Sequence, residues 1–165
     1  MAMTLVSTVT VGAGGAASIE FTGIPQTGKD LLLIVSARAT TGGVVDAGTL
    51  RFNSDSGATN YVDRQIRGLG SSVDSSSQTA SYIGQILNGN TSTANTFSSQ
   101  SIYVSNYTSA TTKSISRDFV LENNATDSRQ MIHASSWSGT TAITSIQLAD
   151  VTYAQHSTAS LYIIS

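Results

Sequence analysis

A jelly-roll-like antiparallel β-sandwich is the fold this sequence predicts, and three observations predict it. Short runs of β-branched and aromatic residues alternate apolar with polar, as half-buried strands do. Ser, Thr, Gly and Asn wall these runs off about every 8 to 12 residues, the turn spacing of sandwiches and jelly rolls. No stretch carries apolar residues at i, i+3, i+4 and i+7 over three turns, so no long helix is expected. The class is therefore all-β, with about ten short strands.

Taken in order, residues 4–11 place Leu5, Val9 and Val11 on one face before Gly12-Ala13-Gly14-Gly15 breaks the run. Residues 18–22 carry Ile19 and Phe21 on one side. The single proline, Pro25, fixes φ in the connector Gly23-Ile24-Pro25-Gln26-Thr27-Gly28 and delivers the chain to the next strand. Across 31–38, Leu31, Leu33, Val35 and Ala37 share a face while Leu32 and Ile34 occupy the other, which predicts burial on both sides for half the strand. Residues 49–53 contribute Leu50 and Phe52, and 60–68 contribute Tyr61 and Ile66, with Asn53-Ser54-Asp55-Ser56-Gly57 as the turn between them.

The Ser-rich stretch 71–79 holds too little apolar surface for a fixed place in a core and reads as a loop. Residues 82–87 form a brief strand and 89–95 a second polar loop. A long alternating strand over 97–107 carries Ile102 and Val104, and 114–122 sets Ile115, Phe119 and Leu121 on one face. Residues 131–137, 143–148 and 159–165 complete the set. With 165 residues, no fixed-period repeat and no dividing linker, one domain over 1–165 is expected.

Composition narrows the function. Charged residues make up 11% of the chain, His appears twice and Cys not at all, so the side chains that usually carry chemistry are scarce. The missing Cys excludes a disulfide framework, thiolate zinc and thiol catalysis. A net charge of −2 offers no basic field for phosphates, so neither nucleic acid nor an anionic membrane surface is an expected partner. The longest apolar run, 31–35, is too short to span a bilayer, and the N-terminus lacks the charged and apolar regions of a signal peptide. The encoded chain is expected to be the mature one.

A hydrolase needs a nucleophile, a base and an orienting group. Serines are plentiful, but the bases reduce to His133, in a strand between Ile132 and Ala134, and His156, in a surface loop. His133 reads as a hydrogen-bonded structural or interface histidine. Glu20 and Glu122 are the only glutamates, which gives a paired-carboxylate glycosidase little to work with. Gly12-Ala13-Gly14-Gly15-Ala16-Ala17 is a loose dinucleotide fingerprint that precedes a strand rather than opening a helix, and reads as a loop. Asn53-Ser54-Asp55-Ser56-Gly57 offers oxygens at alternate positions for Ca²⁺, without the closing Glu of a helix-loop-helix site; a solvated turn is the better reading. Asn90-Thr91-Ser92, Asn106-Tyr107-Thr108 and Asn124-Ala125-Thr126 match the glycosylation pattern, as chance allows in a chain so rich in these residues. No catalytic residues, cofactor or metal are expected. Trp137, beside Ser138-Gly139-Thr140-Thr141, has two readings: a platform that stacks a glycan ring, assisted by tyrosines, or a member of the packed core. The second is preferred.

Phe21-Thr22-Gly23-Ile24-Pro25-Gln26-Thr27, the strand Leu31-Leu32-Leu33-Ile34-Val35-Ser36-Ala37-Arg38, and Arg51-Phe52-Asn53-Ser54-Asp55-Ser56-Gly57 followed by Asn60-Tyr61 together resemble a family of small structural proteins of tailed bacteriophages, cyanophages among them. Asn106-Tyr107, Trp137, Ile143 with Ile146 and Leu148, and the ending Ser160-Leu161-Tyr162-Ile163 extend the resemblance over nearly the whole chain. Family members end Leu-Tyr-Gly-Ile, whereas Ile163 takes the Gly place here. The resemblance implies a jelly-roll sandwich that serves as a virion component without catalytic residues, either a capsid cement (decoration) protein or a tail or head fibre module that binds host-surface glycan. The first is expected, because a fibre module hangs from a stalk and this sequence begins its first strand by Thr4. A homotrimer on the outer surface of the capsid, bridging major capsid protein subunits, is the implied assembly. The apolar start, with Met1, Met3 and Leu5, is the expected partner contact.

Overall fold

The computed structural model describes residues 2–123 and 127–165. The strands are β1 (Met3–Thr10), β2 (Ile19–Phe21), β3 (Asp30–Ala37), β4 (Val45–Phe52), β5 (Tyr61–Leu69), β6 (Ser72–Ala80), β7 (Ile83–Asn88), β8 (Ser98–Val104), β9 (Lys113–Glu122), β10 (Ser128–Trp137), β11 (Ile146–Ala149) and β12 (Thr158–Ile164). Among the described residues there is no helix, and so none long and apolar enough to cross a membrane.

The strands form an eight-stranded sheet, ordered β1-β12-β3-β8-β9-β10-β5-β6, and a four-stranded sheet, ordered β2-β11-β4-β7, with every pairing antiparallel. Setting β5, β6, β9 and β10 aside leaves eight strands in a nested order. The first pairs with the last (β1 with β12), β2 with β11, β3 with β8, and β4 with β7. That is a long hairpin rolled around a core, the jelly-roll wrapping. The remaining four strands are two excursions, β5–β6 between β4 and β7 and β9–β10 between β8 and β11, and both dock on the β8 side of the larger sheet.

Alternation explains which side chains go inward. In β9 every second residue from Lys113 to Leu121 is buried and the residues between are exposed. Leu31, Leu33 and Val35 of β3, Leu50 and Phe52 of β4, and Leu148 of β11 meet between the sheets in one hydrophobic cluster. Gln85 and Gln100, also inward, donate to the Thr49 and Ile86 carbonyls at 2.8 and 3.0 Å and so tie the small sheet's strands to each other and to β8.

Four expectations change. Residues 71–79 are not a loop: β6 pairs residue by residue with β5. An edge strand is held by its backbone ladder, so it needs no buried side chains. The strand expected at 49–53 starts at Val45, paired with Asn88 of β7. The outer face of β3 is open rather than buried, with Ile34 exposed, because no described residue covers the larger sheet on that side. In β1 the register shifts between Leu5 and Ser7, so Val6 and Val9 turn toward the core while Leu5 faces out.

Candidate functional site

The four-stranded sheet is half as wide as its partner, and its edge strand β7 lies against β8, β9 and β5. Where that cover ends, the inner face of the excursions changes from aliphatic to charged. Arg117 of β9, His133 and Ser135 of β10 and Asp63 of β5 are cross-strand neighbours, because His133 pairs with Arg117 and Ser135 with Asp63. Arg117 is fully buried, and its Nη2 lies 2.8 Å from Asp63 Oδ2. Its Nε donates to Ser135 Oγ at 3.0 Å and its Nη1 to the Gly84 carbonyl at 2.7 Å. Ser135 Oγ donates to Asp63 Oδ1 at 2.6 Å, and His133 Nδ1 lies 2.9 Å from Asp63 Oδ2. The same Nδ1 lies 2.9 Å from Arg117 Nη2, so it donates to the carboxylate in one tautomer and accepts from the guanidinium in the other. Burial works to raise the Asp63 carboxyl, but the hydrogen bonds from His133 and Ser135 and the Arg117 charge outweigh it and hold it well below the usual carboxylate range.

His133 is thus brought together with an acid and a hydroxyl, but not in a catalytic sequence. In a nucleophile relay the hydroxyl gives its proton to the imidazole, and the carboxylate orients the ring from the far side. Here the hydroxyl donates to Asp63 rather than to the imidazole, and Arg117 neutralises the carboxylate. His133 Nε2 has no hydrogen-bond partner among the described residues and lines a cavity of about 120 Å³ with Gln65, Ser76, Gln78 and Ile86. Sequence placed His133 in a strand; Asp63 and Arg117 gave no signal, since pairing across the sheet is what joins them.

The other singled-out residues resolve into structure. Trp137 is buried against Phe52 and Tyr61, and its indole N–H donates to Asp55 Oδ2 at 2.6 Å. No face of the ring is open to a sugar, so the glycan-stacking reading of Trp137 gives way to the packing one. The same Asp55 carboxylate accepts from the Gly57 N–H and the Asn60 amide, so N–H donors hold the oxygens that a Ca²⁺ ion would need. Asn53 and Ser54 sit at positive φ in this turn, and Asn53 Oδ1 accepts from the Thr144 and Ser145 amides. Gly15, in the glycine run, has a φ of 71° in a turn. His156 is exposed in a turn at positive φ. Glu20 accepts from Ser18 and Gln147. Tyr61, Tyr107 and Tyr153 are buried, and Tyr103 donates to Asp30 at 2.5 Å. Among the described residues, no cluster of three His, Cys, Asp or Glu could hold a metal ion. Asn124-Ala125-Thr126 and Met1 lie outside the described residues.

The two outer surfaces of the sandwich differ. On the four-stranded sheet the outward polar groups satisfy one another: Gln147 with Glu20, and Arg51 and Thr49 with Asp150. On the eight-stranded sheet Thr8 pairs with Ser160 and Tyr103 with Asp30, but apolar side chains stand among the polar ones. Met3, Leu5, Ile34, Ile66, Val73, Val120 and Ile132 are the exposed large apolar side chains of the described residues. Strand registers put all seven on the outer face of the larger sheet. One row runs Thr8, Ser160, Ile34, Ser101, Asp118, Ile132, Ile66, Ser75 across the eight strands, and the next runs Leu5, Tyr162, Leu32, Tyr103, Ser116, Ala134, Arg64, Ser77. Met3 and Leu5 stand at one edge of this face, on β1. The excursions fill the other half with a trough of about 720 Å³ lined by Arg64, Ile66, Ser75, Ser77, Ile132 and Ala134. Sequence missed this face, although Tyr61 and Ile66, five apart in one strand, cannot point the same way.

Compared with known proteins, the chain matches no protein-family model, no curated protein and no solved structure.

Proposed function

We propose that the chain is a non-enzymatic structural protein of a bacteriophage particle, a cement protein that decorates the outer surface of the icosahedral head and bridges major capsid protein subunits. The observation that carries this reading is the asymmetry of the sandwich: every large exposed apolar side chain of the described residues lies on one outer face, and the opposite face is polar and internally paired. Exposed apolar side chains gathered on one face mark contact with other macromolecules. Among the described residues, the cluster that resembles catalytic machinery directs its hydroxyl to a neutralised carboxylate and not to the imidazole. The nested strand order agrees with the jelly roll that the phage resemblance implies. That resemblance also implies a homotrimer.

A cement protein works by mass action, because binding the assembled shell and not its loose subunits adds its binding free energy to the shell. Quantitative peptide mass spectrometry of purified particles tests the reading. Copies comparable in number to the major capsid protein support it. A copy number far below that assigns the chain to a tail or head fibre instead.

A further inference from the structure

On the outer face of the eight-stranded sheet, Asp118, Ile132 and Ile66 lie side by side in one row, and Ser116, Ala134 and Arg64 in the next. Arg64 and Asp118 therefore occupy opposite corners of a small rectangle spanning β9, β10 and β5. Both are exposed, and neither makes a side-chain hydrogen bond or ion pair with any described residue. Ile132 and Ile66, between them, are 60% and 59% exposed. An unpaired cation, an unpaired anion and two bare isoleucines thus share one patch, built where the two excursions meet.

We propose that this patch binds a second copy of the same chain, face to face about a two-fold axis, with Arg64 of each copy on Asp118 of the other. The inference does not depend on the phage reading, and it departs from the three-fold assembly that the resemblance implies. Charge selects the occupant. A partner of one sign would leave either Arg64 or Asp118 facing its like, whereas a copy of the chain supplies both complements. Two-fold contacts are isologous, so a patch that holds both members of the pair completes both ion pairs in one rotation.

The axis that exchanges Arg64 with Asp118 lies in the interface and crosses β10 between Ile132 and Ala134. On ideal strand spacings it sets the strands of the two copies at roughly 70° and brings Ile66 of one copy over Ile132 of the other. At that crossing about five strands of each sheet overlap, β8, β9, β10, β5 and β6, and they present roughly 600 Å² at about 4.8 Å spacing and about eight residues a strand, a modest contact beside the roughly 800 Å² per partner of a standard stable interface.

Light scattering coupled to size-exclusion chromatography tests this on the purified full chain. Wild type is expected at twice the 17.1 kDa chain mass. Arg64→Asp and Asp118→Arg each set like charges together twice and should weaken the dimer about a hundredfold or more, to monomer at micromolar concentration. In an equimolar mixture of the two variants, the all-acidic patch of one meets the all-basic patch of the other. Both contacts then join unlike charges again, and the dimer should return. So should that of the double variant, in which the two charges have changed places, whereas Ile132→Asp should be monomeric. These side chains are exposed, so circular dichroism should keep its wild-type shape in every variant. A monomeric or trimeric wild type, a dimer insensitive to the single substitutions, or single variants that the mixture does not rescue would overturn the pairing.

Discussion

Asp63 shows how a single residue sets the conditions under which this sandwich holds. Among the described residues it is the acid paired with the buried Arg117; it also accepts from Ser135 and lies 2.9 Å from His133 Nδ1. Removing one partner of a buried ion pair costs more than the pair contributes, because the other charge stays buried and uncompensated. Asp63→Asn should therefore destabilise the fold by about 3–5 kcal/mol in urea denaturation at neutral pH. The sign of the pH dependence follows from the depressed carboxyl. Its stabilisation is complete above the unfolded-state value near 4 and is lost as pH falls toward the lower folded-state value. Wild type should lose stability on acidification from about pH 5 to pH 3 more steeply than Asp63→Asn does. Parallel curves would remove Asp63 from the account. Trp137, the only tryptophan, offers a second reading at this scale. Enclosed by Phe52 and Tyr61, it should emit at short wavelength and resist acrylamide quenching. Gly139 abuts the indole so closely that a Cβ there would strike the ring. Gly139→Ala should therefore shift that emission to the red and cost about 1–3 kcal/mol through overpacking.

At the scale of the strand, protection should follow sheet position. β9 is hydrogen-bonded on both sides, by β8 and β10, and its inner face is buried, whereas β6 is an edge strand held by β5 alone. Amide hydrogen exchange should run roughly tenfold or more faster along β6 than along β9. Equal protection would mean that something other than β5 covers β6. The same contrast explains what was legible in the sequence. Strands β2, β3, β8, β9 and β12 declared themselves because their alternate residues are core aliphatics and aromatics, as Leu31, Leu33 and Val35 are. β6 did not, because its ladder is made of backbone and its side chains are mostly exposed, four of the nine being serine. The charged cluster was half legible. His133 was seen as a strand histidine with a partner to find, but Asp63 lies 70 residues away and meets it only because the two excursions dock on each other. Ile66 and Ile132 were visible as strand formers, yet composition does not say which side of a sheet is covered.

Over the whole molecule, the rolled eight-strand core and the excursions divide the work. The core is closed on both sides, sheet against sheet, and needs no partner to bury its aliphatics. The excursions widen one sheet beyond its cover. That widening requires a polar inner lining at Asp63, Arg117 and His133, and the outer surface so created is larger and more apolar than the core alone would present. Under the cement reading, affinity translates into mechanical endurance of the head. At free concentrations a hundredfold above Kd, each occupied site adds about 2.7 kcal/mol to the assembled state, and many sites act on one shell. Heads lacking the protein should rupture at a lower temperature in differential scanning calorimetry than heads that carry it. Adding back purified chain should raise that temperature along a saturating curve. A rupture temperature that does not respond to added protein, on heads shown by sedimentation to have bound it, would remove shell stabilisation from the proposal.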